Sequence, residues 1–220
     1  MIHPNQTEKE FDLFFESIGY CRVSDDIGSS PSFQNADYVH KEKKIVVELK
    51  VLFKEQFENG GVIESINASV FKPLSIDENG LGQYAFSLPE QSRKGKHDCI
   101  SEPIRRTLKK ANKQIRETRQ FYFGDTHSTG YVVLAQTGLE SLSPEITAEI
   151  VRRQMDKEFS CINGAVICTP HYQTRNPFTL GINPECISIT NDLIPELRKQ
   201  CMELADLWVE HLERGMFTCT

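Results

Sequence analysis

The sequence predicts an α/β fold: a mixed central sheet flanked by helices. Two observations carry that prediction. Short apolar runs at 45–51 (IVVELKV), 130–138 (GYVVLAQTG) and 162–169 (INGAVICT) have the length and β-branched content of buried strands. They alternate with longer segments of helical apolar periodicity, and that alternation places helices over a sheet. The length of 220 residues suits one domain, 1–220, with chain enough for a sizeable core.

The elements follow in order. Residues 7–20, TEKEFDLFFESIGY, read as a helix with Thr7 as N-cap and Phe11, Phe14, Phe15 and Ile18 on one face. Gly19 is its expected stop. A turn-rich stretch, SDDIGSSPS, leads to NADYVHKEKKIVVELKV (35–51), which reads as two strands joined at KEKK. Approximately 53–100 is too long for a simple connection and is expected to be an insertion, either a loop or a small element. EPIRRTLKKANKQIRETRQFY (102–122) is a helix, and SPEITAEIVRRQMDKEF (143–159) is another, with Ser143 as N-cap and Pro144 in its first turn. FTLGI (178–182) is expected to be a strand near an edge, and approximately 191–214 an amphipathic C-terminal helix. The predicted order is αββ, insertion, αβαβ, α.

Charge and cysteine usage narrow the function classes. The net charge is −6, but Arg93 to Arg119 holds ten basic residues against three acidic ones, so this segment is +7 and the remainder −13. A basic patch on an acidic body is an address for phosphate. No run of 18 apolar residues is present, and the first residues lack a secretory profile. Seven scattered cysteines without CxxC spacing suit free thiols, so a cytoplasmic location is expected. Cys161, Cys168, His171 and Cys186 match no common zinc spacing and read as buried apolar cysteines with a separate histidine.

The strand IVVELKV raises the sharpest question, because it carries Glu48 and Lys50 on one face. Alternation puts Val46, Glu48 and Lys50 on one side and Ile45, Val47, Leu49 and Val51 on the other. A hairpin symmetric about residues 42 and 43 sets Asp37 opposite Glu48. Opposed like charges are destabilising. A divalent cation between the carboxylates supplies a reason for keeping them, since Mg²⁺ takes carboxylates, waters and substrate phosphate. Lys50 would then balance phosphate charge, as metal-assisted phosphodiester hydrolysis requires. The plain alternative is Asp37 as a turn cap and Glu48 with Lys50 as a solvated edge.

Asp37, ten residues, then Glu48-Leu49-Lys50 resembles the D…(D/E)xK core of the PD-(D/E)XK nuclease superfamily, with Ala36 in place of the usual proline. The first helix is similar to the opening helix of archaeal Holliday-junction resolvases. The pairing of the NADY…ELK core with a KANKQIRET helix also resembles bacterial members of the superfamily. This resemblance covers 7–52 and 101–136. It implies a restriction-endonuclease-like αβββαβ core and a Mg²⁺- or Mn²⁺-dependent nuclease, cutting DNA rather than RNA. It implies metal ligands from Asp37, Glu48, the Leu49 carbonyl and Glu8, with Glu16 as the fallback for Glu8. Lys50 would orient the attacking water, and Gln114 or Lys113 would reach into the site from the following helix.

On that helix Ile104, Leu108, Ala111, Ile115 and Tyr122 fall in one arc, the expected core face. Arg105, Arg106, Lys109, Lys110, Lys113, Arg116 and Arg119 occupy the opposite half, with Glu117 as the acid among them, and are expected to bind nucleic-acid phosphates. His127 and His171 are expected to be surface or structural residues, and Trp208 a core or dimer contact. No membrane partner is implied, and a homodimer would match the pseudo-symmetry of duplex DNA. The alternatives are a catalytically silent nucleic-acid-binding member of the same fold and a scaffold assembled through the last helix.

Overall fold

The alternation that marks residues 45–51 as a strand also decides where the helices go. The computed structural model describes residues 4–28, 33–53, 73–76, 82–84, 90–124, 127–137, 144–169, 186–190 and 195–217. The elements are α1 (Pro4–Ser17), β1 (Cys21–Arg22), α2 (Val23–Ile27), β2 (Tyr38–His40), β3 (Ile45–Phe53), β4 (Pro73–Ile76), β5 (Gly82–Tyr84), α3 (Glu90–Phe123), β6 (Thr129–Thr137), α4 (Pro144–Glu158), β7 (Gly164–Cys168), β8 (Cys186–Thr190) and α5 (Pro195–Phe217). Six strands form one mixed sheet in the order β1-β2-β3-β6-β7-β8, and β4 pairs with β5 separately. β3, β6 and β7 run parallel, while β1, β2 and β8 run antiparallel to their neighbours.

The two faces of β3 feed two cores. Val46 and Leu52 join Ile104, Leu108, Ala111 and Ile115 of α3 and Ile150 and Val151 of α4. Ile45, Val47 and Leu49 join Phe11, Phe14 and Phe15 of α1 and Cys201, Leu204, Ala205 and Trp208 of α5. Helices therefore cover both sides of the sheet, which explains why β6 and β7 read as unbroken apolar runs. The expected core arc of α3 is buried, with Tyr122 packed at its margin.

Several boundaries differ from the sequence reading. α1 begins at Pro4, so Thr7 lies inside the helix, fully buried, and is not the N-cap. Proline suits a first turn, whose N–H groups have no helical partner. The helix does stop at Gly19: its N–H donates to the Glu16 carbonyl (3.1 Å) and that of Tyr20 to the Phe15 carbonyl (2.9 Å). With φ at +87°, Gly19 sits where a side chain would be strained. The turn-rich stretch opens with the short helix α2, and Cys21–Arg22 adds an edge strand. α3 starts at Glu90 rather than 102, so the insertion is shorter than 53–100 and contains the small β4–β5 sheet. α5 starts at Pro195 rather than near 191, and it runs on to Phe217. The short alternating run CISIT forms the edge strand β8, which the sequence reading missed. Ser143, His171 and FTLGI lie outside the described residues. Among the described residues no helix is long and apolar enough to cross a membrane.

One close approach fixes how α3 sits on the sheet. The Gly130 carbonyl accepts from the Asn163 N–H (2.7 Å), and the Gly130 N–H donates to Asn163 Oδ1 (2.8 Å). A Cβ at Gly130 would collide with the Cys161 carbonyl oxygen and the Ile115 side chain. Gly130→Ala is expected to cost about 1–3 kcal/mol through overpacking. Chemical denaturation measures this; an unchanged midpoint would show that β6 and α3 part without cost.

Candidate active site

The β2–β3 hairpin has the predicted register: Tyr38 pairs with Val47, Val39 with Val46 and His40 with Ile45. Continued by one step, this register sets Asp37 against Glu48. The β2 ladder ends at Tyr38, and the next N–H along that edge of β3, that of Leu49, donates to Asp37 Oδ2 at 2.8 Å. The Asp37 carboxylate thus replaces the backbone partner that β3 lacks there.

Glu48 follows Val46 on the α3 side of the sheet and is completely buried. Lys50 Nζ pairs with its Oε1, while Oε2 has no hydrogen-bond partner among the described residues. Burial pushes the Glu48 carboxyl up to about 8, and the neighbouring Asp37 charge adds to this; Lys50 opposes both. Asp37 is also raised, first by burial and further by Glu8, against the Leu49 hydrogen bond and the charges of Lys50 and Arg22. A buried carboxyl with an orphaned oxygen and a half-buried one beside it, both resisting ionisation, make a site short of positive charge.

Lys50 is positioned by α3. Its Nζ donates to Gln114 Oε1 at 3.0 Å, and Gln114 Nε2 donates to the Asn35 carbonyl at 2.8 Å. Thr118, one turn on, accepts from the buried Ala36 N–H at 2.7 Å, and Glu117 accepts from the Gln34 N–H at 2.8 Å. Residues 34–36, which lead into Asp37, are thereby riveted along one stripe of α3. Asn35, Glu117 and Thr118 were not anticipated. Glu117 and Thr118 lie one turn beyond Gln114, but nothing in the sequence marks the Asn35 carbonyl.

The other expected residues divide. Glu8 is exposed on α1, yet its charge is felt at Asp37. Glu16 is exposed further along the same helix. Among the described residues no group of three or more His, Cys, Asp or Glu is assembled to hold a metal, so the acidic centre is the Asp37–Glu48 pair. Asp12 accepts from Tyr38 Oη and from Arg22, both at 2.7 Å, which holds Arg22 on the α1 side of Asp37.

The basic face of α3 is less uniform than its sequence suggests. Arg105 pairs with Glu102 and Glu158, and Arg106 with Glu102. Lys113 lies 3.7 Å from Glu117 and points to solvent, not into the site. Arg119 donates to Ser128 Oγ and the Cys161 carbonyl. Lys109, Lys110 and Arg116 are exposed and have no carboxylate partner among the described residues. Glu102 and Glu117 lie three or four residues from their partners on α3 itself, so those pairs were legible in the helix spacing, whereas Glu158 is brought to Arg105 by packing. His127 is exposed and distant in chain from the acidic pair, and Trp208 is core.

Compared with known protein families, with curated proteins and with solved structures, the chain matches none.

Proposed function

We propose that this chain is a metal-dependent nuclease that hydrolyses phosphodiester bonds of nucleic acid, DNA in preference to RNA, on a restriction-endonuclease-like core. The observation that carries the reading is Glu48, buried with an unpartnered oxygen beside a second raised carboxyl and a tethered lysine. Buried carboxylates without such partners are costly, and a divalent cation would remove the cost at both together. With the short α2 and the separate β4–β5 pair set aside, the run α1–β1–β2–β3–α3–β6 is compatible with an αβββαβ order.

Asp37, Glu48 and the Leu49 carbonyl would hold Mg²⁺ or Mn²⁺, with Glu8 contributing charge from α1. Bound there, the ion would neutralise phosphate charge and make water a better nucleophile. Lys50 is the chain's own contribution to the reaction: an ammonium held by Gln114, able to donate to the attacking water or to a phosphate oxygen. Lys109, Lys110 and Arg116 would hold the polynucleotide backbone, with Arg105, Arg106, Lys113 and Arg119 contributing whatever their protein partners leave free.

The test is cleavage of linear, circular, single-stranded and branched DNA and RNA with Mg²⁺ or Mn²⁺, with EDTA as control. Cleavage is expected in the wild type and to fall to background in the Asp37→Ala, Glu48→Ala double variant. Metal-dependent cleavage retained by that variant would overturn the reading.

A further inference from the structure

The segment that delivers Asp37 to the site also carries an aromatic ring outward. Phe33 lies two residues before Asn35 and stacks on Phe121, with ring centroids 5.0 Å apart and planes at 28°. Phe121 is 55 % exposed, and Tyr122 packs edge-on against it at 5.0 Å. On α3 the residues Lys110, Gln114, Glu117 and Phe121 follow the spacing of a single helical stripe. Gln114 on this stripe touches Lys50, and Phe121 lies two turns further on, roughly 10 Å along the axis.

An exposed phenylalanine on a solvated helix end contributes little to the core. The contacts of residues 34–36 with Gln114, Glu117 and Thr118 already fix this segment. Phe33 supports the Phe121 ring from one side and Tyr122 limits its rotation, so a flat apolar surface is held ready near the acidic pair. Lys110, exposed on the same stripe with no described carboxylate partner, supplies a cation on the far side of Gln114. A polyanion bearing flat apolar rings complements that sequence of charge, site and ring. Bases in a continuous duplex are stacked on one another and do not present a free face; unpaired bases do.

We propose that Phe121, backed by Phe33, is a stacking platform for an unpaired nucleobase, so that the preferred substrate is single-stranded nucleic acid or the single-stranded part of a branched one. This rests on the nuclease reading for its catalytic consequence but not for its binding consequence. Lys110 and the platform would grip the strand on either side of the acidic pair, and duplex would be held through phosphates alone.

The experiment measures binding in EDTA, where no cleavage can occur, of a fluorescent single-stranded oligonucleotide and of the same sequence as duplex. A 2-aminopurine base in the single strand reports stacking directly. Wild type is expected to prefer the single strand and to quench the 2-aminopurine. Phe121→Ala and Phe121→Leu should each weaken single-strand binding by roughly tenfold and abolish the quench, with duplex affinity unchanged. Phe121→Trp should retain both, which separates stacking from misfolding. Equal single-strand affinity in the wild type and Phe121→Leu would overturn the proposal. So would absence of any nucleic-acid binding, or a change in oligomeric state without a change in affinity, which would make Phe121 a contact between copies. Loss of stacking in a protein that never cleaves would sustain the platform and sink the nuclease reading. Metal-dependent cleavage with no single-strand preference would do the reverse.

Discussion

Lys50→Ala is expected to lower metal-dependent cleavage by about 10²–10⁴-fold, the range for losing a positioned proton-handling group. Lys50 is the cation paired with Glu48 and braced by Gln114, so alanine removes the site's one internal positive charge among the described residues. The pH dependence follows from the same geometry. Glu48 titrates near 8 in the cation-free protein against an ordinary value of 4.5, and Asp37 is shifted in the same direction. Between those two values the folded protein holds a proton at Glu48 that the unfolded chain has released. Cation-free stability should therefore be greatest below about pH 4.5 as far as this group is concerned, and fall as pH rises through 8. Metal must displace that proton, so the Mg²⁺ concentration for half-maximal rate should drop as pH rises from 6 to 8. Thermal unfolding checks the linkage: Mg²⁺ should raise the melting temperature more at pH 8 than at pH 6 in the wild type, and at neither pH in Glu48→Gln. Equal shifts in the two proteins would mean that the ion binds elsewhere.

Trp208→Ala is expected to destabilise the fold by about 3–5 kcal/mol. Trp208 is 2 % exposed and lies flat on Phe11, with centroids 3.9 Å apart, while Phe14 meets it edge-on at 5.1 Å. These contacts join α5 to α1 across one face of the sheet, and His211 adds a bond from α5 to Glu10 at 2.9 Å. Urea denaturation measures the loss. Trp208→Phe should cost less, because it keeps an aromatic ring and removes a buried indole N–H that has no partner among the described residues. A loss for phenylalanine as large as that for alanine would show that the ring contacts with Phe11 and Phe14 are not what holds the helices together. Because α1 also carries Glu8, weakened docking of this helix should reduce activity before the protein unfolds globally.

The hairpin explains why the centre of the site was legible. Side-chain alternation and turn symmetry are local rules of period two, so IVVELKV and KEKK alone set Asp37 against Glu48 and put Lys50 on the same face. Helical periodicity likewise identified the buried stripe of α3 and placed Gln114 at its border. Edge strands were harder. Cys21–Arg22 and CISIT are too short for periodicity to separate from loop, and they become strands because β2 and β7 offer open edges. Thr7 was misplaced because a serine or threonine near a helix start resembles a cap whether or not the helix has already begun.

By itself the sequence determined the α/β class, the core stripes, the hairpin register and the pairing of two carboxylates with a lysine. These depend on spacing along a single element, where backbone geometry leaves few choices. Tertiary structure alone decided that Arg105 has a second carboxylate partner, because Glu158, brought in by α4, reaches it from 53 residues away. It also decided that Gln114 braces Lys50, that residues 34–36 fasten to α3, and that Phe33 meets Phe121. Those contacts join segments about 60 to 90 residues apart, and only burial of the shared core brings them within contact range.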